Sequence, residues 1–488
     1  MTIYRYRLGD KIANFIGRKR ELNLMNDLLG KRTASLVVIR GRRRIGKSRL
    51  IEEFGQEKNL LMFTGIPPTP STTIQSEIDE FTRQMQRLFQ IPNVQFSDWG
   101  DVFWFLGDLV KNGRTILVFD EISWIGSQDP DFVGKLKNAW DTKFKKNDKM
   151  IMIFCGSVSA WIEKNILQGT GFMGRISQTI TLDELTLVDC NTFWRNQREH
   201  ISNFEKFKIL SVTGGVPRYL EEIRPEFSAE ENIRKICFSK EGFLFKEFDQ
   251  VFSNTFLSKS GLYRKIIIEL LDHPLDPSAI SKKIDAPLNN AFINYLEELV
   301  LAGFLARDYT WNLREQKKAK LSHYRLKDNY LRFYLKNILP NHNKIENDLF
   351  DDASISTLSG WSTIMGLQFE NLVLNNRKKI WELLRIAPED ILWNNPFFQR
   401  TTTKQPGCQI DYLIQTKFGG LYVCEIKFSL KPIELKIIDE MKQKIKSLVR
   451  PKGISCRPVL IHVNGVHEGV VEQDYFSGII DFGKLLDK

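Results

Sequence analysis

Apolar residues along this chain follow two spacings. Three short unbroken runs, Ser35-Leu-Val-Val-Ile39, Thr115-Ile-Leu-Val-Phe119 and Met150-Ile-Met-Ile-Phe154, read as strands buried on both faces, as in a parallel sheet. Between them the apolar positions recur at helical spacing. Residues 74–89 form one amphipathic segment, and Trp99, Val102, Phe103, Phe105, Leu106 and Leu109 form a stripe that reads as a packing face. Residues 1–200 therefore alternate strand and helix, the pattern of a parallel sheet with helices on both faces. Pro67-Pro-Thr-Pro-Ser71 interrupts the alternation as a loop.

After Leu185 the pattern turns helical, giving an expected helical segment over 201–258. Residues 259–340 read differently, with helices over Tyr263–Leu271, Pro277–Ile284 and Asn289–Ala302. Gly303 stops the last of these, and Phe304–Arg307 starts a hairpin that returns at Ser322–Leu326. Three helices and a hairpin predict a winged helix-turn-helix. The third helix exposes Asn289, Asn290 and Asn294 but no lysine or arginine. Phosphate contacts supply most nucleic-acid affinity, so this helix is a poor reader by itself. Positive charge lies in the wing, at Arg307, Arg314, Lys317, Lys318 and Lys320. A wing lying along a nucleic-acid backbone and a purely structural module both remain open.

The ends of the first three strands carry candidate chemistry. Gly41-Arg42-Arg43-Arg44-Ile45-Gly46-Lys47-Ser48 follows the first run and opens a helix with Arg49. A glycine turn between strand and helix aims backbone N–H groups at one phosphate-sized spot. Lys47 is expected to reach the β- and γ-phosphates of ATP, and the Ser48 hydroxyl to bind Mg²⁺. Asp120 suits the Mg²⁺ coordination shell, and Glu121 suits the attacking water. Ser157 ends the third run, where its hydroxyl would lie near the γ-phosphate.

Residues 345–488 hold a second constellation. Glu370 lies on a predicted helix, Gln409–Ile414 reads as a strand bearing Asp411, and Leu421–Lys427 reads as the next. Residues two apart on a strand face one side, so Glu425 and Lys427 project together, and an antiparallel neighbour brings Asp411 beside them. Two carboxylates and a lysine suit metal-assisted phosphodiester hydrolysis with Mg²⁺ or Mn²⁺. Glu370 is expected to add a ligand and Gln443 to complete the pocket.

Composition narrows the setting. The 488 residues exceed one core, so roughly three or four domains are expected. Hydrophobic content of 42% and charged content of 26% fit globular domains, and a net charge of +11 favours a polyanionic partner. No window approaches the ~20 apolar residues of a membrane span, and the first ten residues lack a signal-peptide core. Six cysteines, at 155, 190, 237, 408, 424 and 456, have no CxxC spacing. Reduced thiols in a cytoplasmic protein are expected.

With these motifs in order, the chain resembles prokaryotic ATPases of the archaeal-type family in the AAA+/STAND group, with a C-terminal domain similar to PD-(D/E)XK nucleases. Gly17 and Arg18, in Phe15-Ile-Gly-Arg-Lys-Arg-Glu-Leu22, are similar to the family's opening box near adenine. Gly174-Arg175 and Gly214-Gly-Val-Pro-Arg218-Tyr219 match further boxes. The resemblance implies a charge-stabilising or inter-subunit role for Arg175 and a lid-sensor role for Arg218. In the nuclease motif Ile410 stands where the family name implies proline, although Asp411 remains.

The expected fold is α/β multidomain: a P-loop parallel sheet, helical lid, winged helix and restriction-endonuclease-like C-terminal domain. The expected function is an ATPase coupled to a metal-dependent nuclease, acting on DNA in preference to RNA, without membrane contact and with nucleotide-dependent self-association. Two alternatives stand beside it: an ATP-driven switch or scaffold with an inactive nuclease-like domain, and a DNA-binding initiator-like ATPase.

Overall fold

The three apolar runs become β1 (Ser35–Gly41), β3 (Thr115–Asp120) and β4 (Met150–Ser157) of one sheet, joined by β2 (Leu60–Thr64) and β5 (Ile176–Leu182). The computed structural model describes residues 15–157, 160–255, 260–350, 354–403 and 405–487, so the first ten residues read above lie outside it. The chain divides into two compact units, Met1–Leu185 with Leu301–Gly303 and Thr186–Val300 with Phe304–Lys488.

In the first unit the strand order is β2-β3-β4-β1-β5, and every pairing is parallel. Leu36, Val38, Leu117, Phe119, Met152 and Phe154 point to one face, where they pack with Ile78, Phe81, Trp99 and Phe103. Val37, Ile39, Ile116, Val118, Ile151 and Ile153 point to the other, against Met25, Leu50, Ile51 and Phe54. Both faces are covered, which is why these strands are continuously apolar. The predicted helix over 74–89 is the Ile74–Phe89 helix. In the aromatic stripe, Trp99, Val102, Phe103 and Leu106 are fully buried, while Phe105 and Leu109 pack at the edge of the same cluster.

The second unit contains the predicted helices as Ser260–Glu269, Pro277–Lys283 and, up to Val300, Asn290–Leu301, then β6 (Leu305–Asn312) and β7 (Lys317–Leu326). Beyond them lie the Trp361–Asn375 helix and a sheet of β8 (Ile391–Gln399), β9 (Cys408–Thr416), β10 (Gly420–Ile426), β11 (Ser455–His462) and β12 (Gly478–Asp481). Strands β8, β9 and β10 form an antiparallel meander, while β10, β11 and β12 run parallel. The parallel step from β10 to β11 needs a crossover, and the Lys436–Ser447 helix supplies it, burying Ile437, Ile438 and Met441.

The β6–β7 hairpin is not a free wing. Trp311 and Leu313 belong to the same apolar cluster as Ile410, Leu413 and Leu421 of the sheet. The Trp311 indole N–H donates to Gln415 Oε1 at 2.5 Å, and its ring stacks on Trp393 at 5.8 Å. Trp393 in turn donates to the Gln316 carbonyl at the hairpin turn, 2.9 Å away. Residues on either side of the boundary expected near 340 thus lie in one unit. Two of the basic wing side chains are also engaged. Arg307 pairs with Glu297 at 2.6 Å, and the Lys318 ammonium lies 3.2 Å from the Tyr309 ring centre. The Lys320 side chain lies outside the described residues. Asn289, expected on an exposed reading surface, accepts the Phe292 N–H at 2.9 Å as a helix cap.

A buried polar network ties the hairpin to the helix bearing Glu370. Arg325 pairs with Asp308 at 2.9 Å, and both side chains are almost fully enclosed. Asn371 donates to the Leu326 and Lys327 carbonyls at 3.0 and 3.2 Å. Arg332 reaches Gln368 at 2.9 Å and the Leu326 carbonyl at 2.7 Å. Such groups are tolerated in an interior because each finds partners there. No described helix is long and apolar enough to cross a membrane.

Two candidate functional sites

The first site forms where β1, β3 and β4 end together. Gly41 must be glycine, because a Cβ there would lie 2.7 Å from the Leu182 carbonyl oxygen and 2.9 Å from Ile45 Cγ2. Ile45 anchors the loop in the core, while Arg44 and Gly46 take positive φ of 68° and 89° to turn the chain around it. The Lys47–Gly55 helix starts at once. Its N-terminus and the loop N–H groups make a preformed anion cradle. Lys47 Nζ is held inside that cradle by the Gly41 and Arg42 carbonyls, both at 3.2 Å, and by Ser157 Oγ at 3.4 Å.

Ser48 donates its hydroxyl to Asp120 Oδ2 at 2.9 Å. The hydroxyl and carboxylate of a Mg²⁺ shell therefore already meet, so these residues fit that ion. Glu121 takes the left-handed conformation, φ 51°, uncommon for a glutamate. The turn sends its carboxylate back toward β4, where it accepts the Ser157 backbone N–H at 3.3 Å and the Ser157 hydroxyl at 3.5 Å. Burial pushes the Glu121 carboxyl up, Lys47 opposes the rise and Asp120 adds to it. A buried carboxylate beside a serine and a lysine is suited to orienting water.

The expected arginines have several settings. Arg18, at φ 58°, donates to the Ile45 carbonyl at 3.0 Å and so supports the loop from beneath. Gly17 precedes it at φ 72°. Arg42 lies 3.8 Å from Glu184, and Arg49 pairs with Glu52 and Glu53 along its own helix. Arg43 is close enough to Glu121 to lower its pKa. The structure gives Arg175 to Asp141 in a two-pronged pair, 3.1 Å from Nε and 2.8 Å from the terminal nitrogen. Arg218 lies in the second unit, paired with Glu221 and Glu222 at 3.1 and 2.7 Å and set over the Phe243 ring.

The second site forms on β9 and β10. Cys424 pairs with Tyr412 across the antiparallel ladder, so Asp411 and Glu425 are neighbours, and Asp411 Oδ2 accepts the Ile426 N–H at 2.9 Å. Lys427 Nζ reaches Glu425 Oε1 at 3.0 Å, as their shared strand face requires, and Glu440 at 3.3 Å. A residue absent from the sequence expectation completes the cluster. Lys444, on the crossover helix, is ion-paired to Glu425 Oε2 and lies 3.5 Å from Asp411 Oδ1. Burial alone would lower the pKa of both lysines, yet the surrounding carboxylates outweigh it and raise them. Burial, with Glu425 adding, raises Asp411.

Glu370, expected as a further ligand, lies close enough to Asp411 for the two carboxylates to interact. Among the described residues no group of three or more His, Cys, Asp or Glu is placed to hold a metal. Burial pushes the Glu370 carboxyl up to about 8, and Asp411 adds to that rise. Arg325 and Arg332 draw it the other way, toward the polar network described above. Gln443, expected to complete the pocket, does line it: with Asp411, Lys444, Gln409 and Ser447 it borders a cavity of about 470 Å³.

A parallel sheet whose strand ends bring Lys47, Ser48, Asp120 and Glu121 together defines a P-loop nucleoside-triphosphatase domain. More particularly, residues 15–223 match the model of an ATPase domain found predominantly in Archaea. The uncharacterised protein MJECL04 of Methanocaldococcus jannaschii is 24% identical over 364 residues, covering 73% of this chain and 76% of its own. Among solved structures, the Walker-type ATPase PABY2304 of Pyrococcus abyssi is similar at a TM-score of 0.49 and 17% identity, covering 66% of this chain and 96% of its own. The ORC2 protein of Aeropyrum pernix is similar at a TM-score of 0.42 and 15% identity, covering 70% and 97%.

Proposed function

We propose that the chain is an ATP-hydrolysing enzyme whose C-terminal domain is a metal-dependent nuclease acting on DNA in preference to RNA. At the first site Lys47 and the loop N–H groups would hold the β- and γ-phosphates, Ser48 and Asp120 would hold Mg²⁺, and Glu121 with Ser157 would place the water, roles that fit the Lys47–Ser157, Ser48–Asp120 and Ser157–Glu121 contacts. The observation that carries the second half is the convergence of Asp411 and Glu425 on one ammonium, with Lys427 beside them. Two carboxylates that share an internal cation are a donor set that fits Mg²⁺ or Mn²⁺. The bound ion would supply Lewis-acid charge next to a phosphodiester. Lys427 would then orient water and steady the phosphate, the water oxygen bonding to phosphorus as the bond to the leaving alcohol breaks.

The topology of the second sheet supports this reading. A helix, a three-stranded antiparallel meander, a crossover helix and a parallel strand put the acidic pair on the adjacent inner strands β9 and β10, with the lysine just past the end of β10. The test is nicking of plasmid DNA in Mn²⁺, which should occur with the wild type and vanish in Asp411→Asn. Arg175 and Arg218 are proposed to act between subunits and in nucleotide sensing. Self-association that depends on ATP, seen by light scattering, would test this.

The absence of a three-ligand group among the described residues favours a second reading. In it the C-terminal domain only binds, and the chain is an ATP-driven switch or scaffold. Salt-dependent DNA capture without cleavage, unchanged by Lys427→Ala, would select it.

A further inference from the structure

Lys444 is the cation the acidic pair already has. Its ammonium contacts Glu425 Oε2 and lies 3.5 Å from Asp411 Oδ1, so it bridges both carboxylates. Lys427, by contrast, meets Glu425 on the other oxygen and spends itself on Glu440 as well. The Glu425 side chain is only 4% exposed, and a carboxylate so enclosed needs a counter-charge.

We propose that Lys444 is a built-in competitor of the metal, which enters the C-terminal site by displacing it; this rests on the metal-dependent reading of that site. Two features support the exchange. The Lys444 side chain is 29% exposed and borders the open cavity, so its ammonium has somewhere to go when it leaves. A flexible four-carbon stem lets it swing there without moving the helix. The site would thus be self-latched, its metal affinity set by an internal competitor.

The test is calorimetric titration of nucleotide-free full-length protein with Mn²⁺. Lys444→Met should bind Mn²⁺ about tenfold tighter than the wild type, and Lys427→Met should gain clearly less. Asp411→Asn should bind far more weakly than either. Equal affinity in wild type and Lys444→Met, weaker binding in Lys444→Met, or an equal gain in Lys427→Met overturns the latch while leaving the metal site standing. No Mn²⁺ binding by wild type or Lys444→Met overturns both the latch and the metal-dependent reading beneath it. Thermal melting gives a second readout, with Lys444→Gln in reserve if Lys444→Met fails to fold. Metal-free Lys444 variants should melt below the wild type, and Mn²⁺ should raise their melting temperature by more than it raises the wild type's. An equal rise in both contradicts the proposal.

Discussion

Ser48 donates its hydroxyl to Asp120 at 2.9 Å across a sequence separation of 72 residues. The contact exists because β1 and β3 flank β4 in one parallel sheet, so their C-terminal ends open on the same side. Ligands of open α/β sheets bind at that edge, and here it gathers the phosphate loop, the acidic pair and Ser157.

Two substitutions separate binding from turnover at that edge. Lys47→Ala should lower ATP hydrolysis by about two to three orders of magnitude, because it removes the charge aimed at the transferring phosphoryl group. Glu121→Gln should keep nucleotide affinity while losing most of the turnover. Phosphate release and fluorescent-nucleotide titration measure the two effects. Full hydrolysis in Lys47→Ala would remove the site assigned to the loop.

Glu77 gives the ATPase unit a pH-dependent weakness. Its side chain is buried, one oxygen has no partner, and the other accepts the Ile66 N–H at 3.4 Å. Burial pushes its carboxyl up to about 7, with that hydrogen bond opposing and Glu80 adding. Between an unfolded value near 4.5 and about 7 the folded protein binds the extra proton, so stability falls as pH rises through this window. Glu77→Gln mimics the protonated form. It should stabilise the protein at pH 8 by about 1–3 kcal/mol and change little at pH 5. Melting curves at the two pH values decide this, and an equal effect at both contradicts it.

The hairpin's attachment to the C-terminal sheet rests on a buried polar pair. Trp311→Phe keeps most of the ring contacts with Trp393 and Phe397 but leaves Gln415 Oε1 without its donor. The loss should cost about 1–3 kcal/mol in urea unfolding. Adding Gln415→Leu removes the stranded Gln415 acceptor but also the Nε2 donor to the Leu313 carbonyl at 3.3 Å, so it should recover only part of the loss. A strictly additive double variant would show that the pair is not coupled.

The first site was largely legible in the sequence because each of its strands is buried on both faces. Continuous apolar runs ending in Gly41, Asp120 and Ser157 mark themselves. β5 did not, since an edge strand reading Ile-Ser-Gln-Thr-Ile-Thr-Leu alternates polar and apolar residues. β8 was hidden by Asn394, Asn395 and Pro396, which fall where its pairing is irregular. The neighbouring placement of Asp411, Glu425 and Lys427 followed from strand periodicity, whereas Lys444 did not. It comes from a helix more than a turn beyond any motif, and only the packing of Ile437, Ile438 and Met441 on the sheet brings it to the carboxylates. Its signal was faint: a lysine next to Gln443, on a helix already expected to border the pocket. The hairpin misled for a related reason. Its basic residues stood out in the sequence, while Trp311 and Leu313, which anchor it, looked like ordinary strand residues.

The central claim is that ATP turnover at Lys47 governs phosphodiester cleavage at Asp411, Glu425 and Lys427. The most direct measurement is gel analysis of mixed DNA and RNA incubated with full-length protein, with ATP and Mg²⁺ or Mn²⁺ varied independently. DNA should be cut only when the divalent metal is present. Cutting should disappear in Asp411→Asn and Lys427→Ala, and Lys47→Ala should abolish its dependence on ATP. DNA and RNA left intact in every combination of metal and nucleotide would contradict the account.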